Sequence, residues 1–400
     1  DECSVCDAND NNDCFDYSLD LHAGWNLISF NALPDETDIP YIFGAGGCVA
    51  TVIGQGTSTI YLEGPGIWVG SLDAVYQDAG YWVAAQEDCM IEIEDAVPVS
   101  YDSDGEVIYN MELGPNLISY PFQTSQSIAD ALGWAADNVD IVIGEGVSAI
   151  NIGTGWVGSL QAFAGGMGYW LLAAGDFTFS FNGAEDGLSR LVEQPALRAV
   201  PEAYRVSQSM HQAFYFTQSA TIQGKFLDED DLIIVYNDDM VVGARYWNGE
   251  FTDVPAMGFD SYIENEGFCE AGDLVTFKVF DASSHELIDM ESDIETIWND
   301  LGISVINLTE VLPDAFSLDR AYPNPFNPVT TLSFALPVEA EVSLSVYNLQ
   351  GREITSLISG NMDAGYHSVL WNADNHASGV YFVKMIAGEY VNTQKLMLVK

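Results

Sequence analysis

The stretch GWNLIS at Gly24–Ser29 returns ninety residues later as GPNLIS at Gly114–Ser119. Three further blocks return in the same order: VIGQG at Val52–Gly56 as VIGEG at Val142–Gly146, WVGSL at Trp68–Leu72 at Trp156–Leu160, and GYW at Gly80–Trp82 at Gly168–Trp170. The offset falls from 90 to 88 where YLEGPGIW in the first copy faces NIGTGW in the second. That is a length change in a Gly-rich connection, where domains tolerate it. Four blocks in fixed order are a tandem duplication. NLISF, NLISY, TVIGQG, IVIGEG, YWVAA and YWLLAA are short apolar segments bounded by turn residues, so both copies, placed at 17–98 and 107–182, read as mainly β. One short helix is expected, with Ser125 or Ser127 capping SIADALGWAAD and Ile128, Ala131, Leu132 and Ala135 on one face.

Charge narrows the partners. Sixty acidic residues against 11 basic ones leave a formal net charge of −49 over 400 residues, which opposes binding to nucleic acid or to anionic membrane surfaces. Residues 1–189 hold 29 Asp and Glu and no Lys or Arg. Their carboxylates must be solvated, hydrogen-bonded to backbone or bound to cations, Ca²⁺ being the natural candidate outside a cell. No organic cofactor is expected. No apolar run approaches the roughly 18 residues of a membrane helix, and membrane insertion is not expected. The chain opens at Asp1 without Met or signal peptide, as expected of an exported protein whose leader has been removed or of a processed product.

The cysteines agree with export. Cys48 and Cys89 lie in the first copy, and their aligned positions, Asn138 and Phe177, have lost both together. A pair lost as a pair points to a Cys48–Cys89 disulfide and an oxidising compartment. Cys3, Cys6, Cys14 and Cys269 remain open in their pairing. CSVC has no βα context for a redox motif, and three cysteines do not complete a zinc set. Around them, DECSVCDANDNNDC at residues 1–14 crowds Asp7, Asn9, Asp10, Asn12 and Asp13 into a segment too polar for a core. Its oxygens at odd spacings can wrap a hard cation, with Asp7, Asn9, Asp10 and Asp13 as candidate ligands, although Gly at the turn and a distal Glu are missing. The segment, set at 1–16, resembles thrombospondin type 3 calcium repeats; a plain acidic linker is the other reading. The GWNLIS blocks resemble repeats of modular bacterial envelope proteins. Trp68, Trp82, Trp156 and Trp170 recur beside Gly, which favours packed positions over sugar-stacking platforms.

Residues 188–208 bring the first basic residues and two prolines and read as a linker. Residues 209–313 hold strand pairs broken by NDD and Gly, the pattern of an antiparallel β-sandwich. Asp228–Asp231 reads as a solvated acidic loop ahead of a strand. This region is similar to β-domains next to sorting domains in secreted Bacteroidetes-type proteins.

The most specific motif comes last. In YPNPFNP, Tyr322, Pro323, Asn324, Pro325, Phe326, Asn327 and Pro328, the prolines are expected to hold the chain extended. Alternating Leu332, Phe334, Leu336 and then Val342, Leu344, Val346 open a series of strands running to the terminus, a compact immunoglobulin-like sandwich at 316–400. With VYNLQGRE, GYHSVLWN and SGVYFVKM, the motif resembles the C-terminal sorting domain of type IX secretion substrates. That resemblance implies contact with the type IX secretion machinery, export across the outer membrane of a Gram-negative bacterium, and then removal of the domain or its retention at the cell surface.

No GxSxG, HExxH or phosphate-binding loop is present, and His22, His211, His285, His367 and His376 are scattered without metal-ligand spacing. An enzyme is not expected. Two functions fit small tandem β-domains: a self-assembling structural protein, a head-to-tail homo-polymer forming a filament, sheath or surface layer, or a monomeric adhesin that binds polysaccharide.

Overall fold

Both versions of the repeated hexapeptide are edge strands. In the computed structural model, which describes residues 15–44, 47–98, 107–183, 194–261 and 265–400, Gly24–Ser29 heads a five-stranded antiparallel sheet. That sheet continues through Gly80–Ala85, Val49–Gly54, Thr57–Leu62 and Ile67–Gly70. Gly114–Ser119 heads a sheet of the same order through Gly168–Ala173, Val139–Ile143, Ser148–Asn151 and Trp156–Gly158. Register repeats as well: Gly24 faces Ala85 as Gly114 faces Ala173. Even the irregularity at Val49/Thr51 recurs at Val139/Ile141.

The Asn of the repeated block explains its own position. Asn26 Oδ1 accepts the His22 N–H at 2.9 Å while its Nδ2 donates to the His22 carbonyl at 2.8 Å. Asn116 does the same with Glu112, at 2.9 and 2.8 Å. Each clamps a four-residue loop whose Gly, Gly24 or Gly114, has φ of 99° or 95°, a conformation that a side chain would strain. Both Asn side chains are buried with every polar atom engaged, which is what keeps an amide in an apolar setting affordable.

The two cores differ where the cysteines were lost. Cys48 and Cys89 are bridged, closing 41 residues. In the second copy, Phe177 at the position of Cys89 packs instead on Trp134 and Phe179, with ring centroids 6.2 and 5.7 Å away. An aromatic stack stands where the first copy has a covalent link. Ser127 caps Ile128–Leu132, its Oγ accepting the Asp130 N–H at 3.1 Å. Ile128, Ala131, Leu132 and Ala135 are all buried, as the helical spacing predicts. A second five-residue helix, Ile39–Phe43, was not anticipated from the sequence.

The third region is a single eight-stranded sheet rather than two stacked ones. Its path begins at Lys225–Phe226 and Gln212–Ile222 and ends at Leu232–Asn237 and Met240–Tyr246, while Thr252–Met257 pairs with Gln212–Ile222. The sheet curls until Gly243 meets Pro255, where an added Cβ would lie 1.7 Å from the Pro255 carbonyl oxygen.

The described residues divide into two compact units: those up to residue 219 with those of 228–287 and 292–307, and 220–227 with 288–291 and 308–400. The second holds a sandwich of a three-stranded sheet (Ser317–Leu318, Val329–Leu336, Gly365–Asn372) and a four-stranded one (Glu353–Met362, Ala340–Asn348, Gly379–Ala387, Tyr390–Leu398). The protein is thus mainly β, with small β-domains in tandem. No helix among the described residues is long and apolar enough to cross a membrane.

Candidate functional site

The two repeats contact each other reciprocally. Glu145 Oε2 accepts the Leu27 N–H at 2.9 Å, and its aligned partner Gln55 accepts the Leu117 N–H through Oε1 at 2.8 Å. Ile28 bridges Met167 as Ile118 bridges Ala79. A pattern in which i meets j and j meets i is the mark of an isologous, two-fold interface; here it lies within one chain. Gly80 and Gly168 make the close approach possible, since a Cβ on either would sit 2.7 or 2.6 Å from the carbonyl oxygen of Ile118 or Ile28. Trp25, Leu27, Trp82 and Leu117 are buried together in the joint, with Ile53 and Trp170 packed against them. The tryptophans Trp82 and Trp170 therefore belong to the interface, while Trp68 donates its Nε1–H to Gly44 in the first repeat.

The second repeat carries a further joint, to the curled sheet. Phe214 and Phe216 cover Ile143 and Ile150. Beside them the buried Asp253 carboxylate accepts from Ser148 N and Oγ at 3.1 and 3.0 Å and from Ser159 N and Oγ at 2.8 and 2.7 Å. Arg245, also buried, donates to the Asp253 and Gly146 carbonyls at 2.7 Å each. Burying a carboxylate costs several kcal/mol; four donors worth about 1.5–3 kcal/mol each offset this and fix the docking register. A cleft of about 550 Å³ opens next to this joint, lined by Gly146, Ser159, Arg198, Arg245, Tyr246 and Asp253 among others. Arg198 lies over the Tyr246 ring, 3.8 Å from its centroid, and pairs with Asp230 at 2.8 Å. Sequence reasoning missed Glu145, Gln55, Asp253 and Arg245. The signals were that Gln55 and Glu145 are the differing position of the repeated VIGQG/VIGEG block and that Ser71 and Ser159 sit inside the repeated WVGSL block.

The sorting motif is bent rather than extended. It touches neighbouring strands at two bridges, Tyr322 with Thr331 and Phe326 with Leu398. Phe326 is 2% exposed, its ring 5.2 Å from that of Trp371, whereas Tyr322 is 80% exposed. Asn324 replaces a strand residue: its Nδ2 donates to the Lys395 carbonyl and its Oδ1 accepts the Met397 N–H, both at 2.9 Å. Thr330 Oγ1 donates to the Pro323 carbonyl at 2.7 Å, and the Pro328 carbonyl accepts the Ala373 N–H at 2.9 Å. Pro325 and Asn327 complete the bends around Phe326. The motif thus laces the last strand, Tyr390–Leu398, to the sandwich.

Asp7, Asn9, Asp10 and Asp13, the candidate calcium ligands, lie outside the described residues, as do Cys3, Cys6 and Cys14. No group of three or more His, Cys, Asp or Glu that could hold a metal occurs among the described residues. Cys269 is a free, buried thiol, pushed up to about 12 by burial. The acidic run Asp228–Asp231 divides: the first three residues are exposed, but Asp231 is buried and accepts the Asp228 and Ala282 N–H groups at 2.8 and 2.9 Å. It is a loop clamp, not a solvated charge. His22 stands 2.6 Å from Glu145 and is raised to about 9, chiefly by that hydrogen bond. His211 stands 2.8 Å from Asp300 and is raised by it.

A family comparison matches residues 320–400 to the secretion system C-terminal sorting domain. No curated protein matches. Distantly similar solved structures include these two. One is a DUF3823 family protein from Parabacteroides merdae, 13% identical, covering 47% of this chain and 98% of that one, with a TM-score of 0.16. The other is dimeric latent PorU from Porphyromonas gingivalis, 10% identical, covering 96% of this chain and 30% of that one, with a TM-score of 0.18. Neither likeness bears on fold or function. Residues 320–400 are a type IX secretion sorting tail, which implies a secreted, cell-surface protein.

Proposed function

We propose that this chain is a non-enzymatic structural protein retained on the outer cell surface, where copies associate head to tail into a filament, sheath or layer. The observation that carries the proposal is the strand Ile67–Gly70. It stands at the free end of the first repeat's sheet, and its Ile67 and Val69 are 51% and 45% exposed. An apolar edge strand of this kind is a template for another chain. The non-enzymatic reading is supported by how the titratable pairs are used. Glu145 also takes the Leu27 N–H, and Asp300 also takes the Gln212 N–H at 3.0 Å, so each pair closes a joint in the fold.

Charge selects the arrangement. A chain at −49 repels its copies. The C-terminal domain, residues 316–400, carries five basic and seven acidic residues, 5 − 7 = −2, and is the part that an acidic neighbour tolerates best. Salt, and Ca²⁺ taken up by the Asp7–Asp13 segment, would lower the remaining repulsion. Sedimentation velocity of the full chain over a concentration series, in low and high salt and with calcium or chelator, tests this. Species that grow with concentration, and shrink in low salt and with chelator, are expected. A monomer in every condition would overturn the proposal and favour an adhesin. The cleft beside Arg245 supports that alternative poorly as a sugar platform, because Arg198 already covers the face of Tyr246.

A further inference from the structure

The first repeat leaves bare the face whose counterpart on the second repeat is covered by the curled sheet. Ile150 is 8% exposed, clustered with Phe214 and Phe216 of the curled sheet; its counterpart ninety residues earlier, Ile60, is 38% exposed. Val157 is packed against that same cluster, and its counterpart is the exposed Val69. The polar half of the joint is duplicated too. Ser148 and Ser159 hold the Asp253 carboxylate, and Ser58 and Ser71 occupy the same two places in the first repeat, where the Ser58 N–H donates to Ser71 Oγ at 3.3 Å. Nor is the bare face isolated. Ile53, opposite Ser58 in the ladder, packs into the apolar joint between the repeats beside Trp82. The exposed stripe is therefore the outward continuation of an established interface.

We infer that this face is a socket for a second copy of the chain, and that it receives the edge strand Gly365–Asn372 of that copy's sorting domain. The inference rests on the head-to-tail association proposed above and names its two surfaces. The neighbour's curled sheet is not free to fill the socket, since its Phe214, Phe216 and Asp253 are engaged under its own second repeat. The strand Gly365–Asn372 is at the end of its three-stranded sheet and presents Tyr366 and Leu370, 62% and 66% exposed. Asp363, exposed at the turn leading into it, offers the carboxylate that the serine pair is built to take. An apolar aromatic strand with a short acid beside it has the chemistry that the second repeat already accepts. Two edge strands can also join their ladders, which gives backbone hydrogen bonds in addition to side-chain burial. The charge balance agrees, because the socket lies in a stretch of 189 residues without Lys or Arg and the strand lies in the near-neutral domain.

The test uses full-length variants under conditions where the parent associates. Ile60→Ser with Val69→Ser removes the socket, and Tyr366→Ser with Leu370→Ser removes the plug. Each alone is expected to weaken association on the order of 30-fold or more, the loss given by removing a pair of buried apolar anchors. A 1:1 mixture of the two is expected to form a discrete dimer, since one intact socket then meets one intact plug. Ile60→Thr with Val69→Thr keeps β-branched side chains in the strand and is expected to weaken association in the same direction with an unchanged thermal midpoint. Ile152→Ser, at the second-repeat position matching Leu62, is expected to assemble as the parent does. Either double variant assembling like the parent, or the mixture staying monomeric, would overturn the inference while leaving the association itself standing. A parent that never associates would instead remove the function on which the inference rests.

Discussion

Glu145 reaches across the two repeats to Leu27, its Oε2 accepting the Leu27 N–H at 2.9 Å, while Gln55 returns the bond to Leu117 at 2.8 Å. The side chain that differs between VIGQG and VIGEG is therefore the one that ties each repeat to the other's edge strand. Glu145→Ala is expected to destabilise the protein by about 1–3 kcal/mol, because it leaves a part-buried N–H without an acceptor. Gln55→Ala should cost less, since Glu145 also holds His22. Urea titration of both variants checks the order.

The same carboxylate sets a pH dependence. The hydrogen bond that His22 Nε2–H donates to Glu145, opposed by partial burial, raises His22 to about 9, against about 6.5 in the unfolded chain. A group whose pKa is raised by folding contributes its full stability below the unfolded value and loses it as pH passes the folded one. The urea midpoint is thus expected to fall between about pH 6.5 and about pH 9. His22→Gln should flatten part of that slope; the rest belongs to His211, which Asp300 also raises. An unchanged slope in His22→Gln would remove the ion pair from the account.

Gly80→Ala and Gly168→Ala are expected to act alike, each destabilising by about 1–3 kcal/mol through overpacking at the repeat joint. Their Cβ atoms would meet the Ile118 and Ile28 carbonyls at 2.7 and 2.6 Å. Thermal unfolding of both variants is the measurement, and a neutral result at either position would contradict the reciprocal interface.

Opening the Cys48–Cys89 loop of 41 residues is expected to cost about 4 kcal/mol on a chain-entropy model, seen when Cys48→Ala with Cys89→Ala is compared with the parent in denaturant. Cys269 should resist alkylation in the native protein, being 1% exposed and carrying a thiol with a pKa of about 12. Rapid labelling of Cys269 under native conditions would show that its site opens.

Phe326→Ala is expected to cost about 3–5 kcal/mol in the sorting domain, and Asn324→Ala about 1 kcal/mol through its two backbone bonds to the last strand. Tyr322→Ala, at a residue 80% exposed, should leave stability unchanged. A destabilising Tyr322→Ala together with a neutral Phe326→Ala would reverse the burial described for the motif.

Much of the architecture was legible because repetition and period are local signals. The duplicated blocks marked the strands, the spacing of Ile128, Ala131, Leu132 and Ala135 marked a buried helical face, and the paired loss at Asn138 and Phe177 pointed to the Cys48–Cys89 bridge. The alternation after Pro328 marked the terminal strands. What the sequence hid were contacts between distant side chains and backbone, which leave no period. Asp231 looked solvated because acids usually are, and became a clamp once the Ala282 N–H was brought to it. Asp253 sits between Thr252 and Val254 in an ordinary strand, and only the curled sheet presents it to Ser148 and Ser159. The motif's prolines suggested an extended run, but Phe326 turns into the core and bends it. The exposure of Ile60 against the burial of Ile150 could not be read from two aligned isoleucines, because it depends on which repeat the third region covers.

Negative-stain imaging of the purified full chain, at a concentration and salt where sedimentation reports large species, tests the head-to-tail account most directly. Unbranched linear particles with a regular axial repeat, lost in the Ile60→Ser with Val69→Ser variant, are the expected result. Discrete single particles, or closed symmetric dimers that persist in that variant, would contradict it.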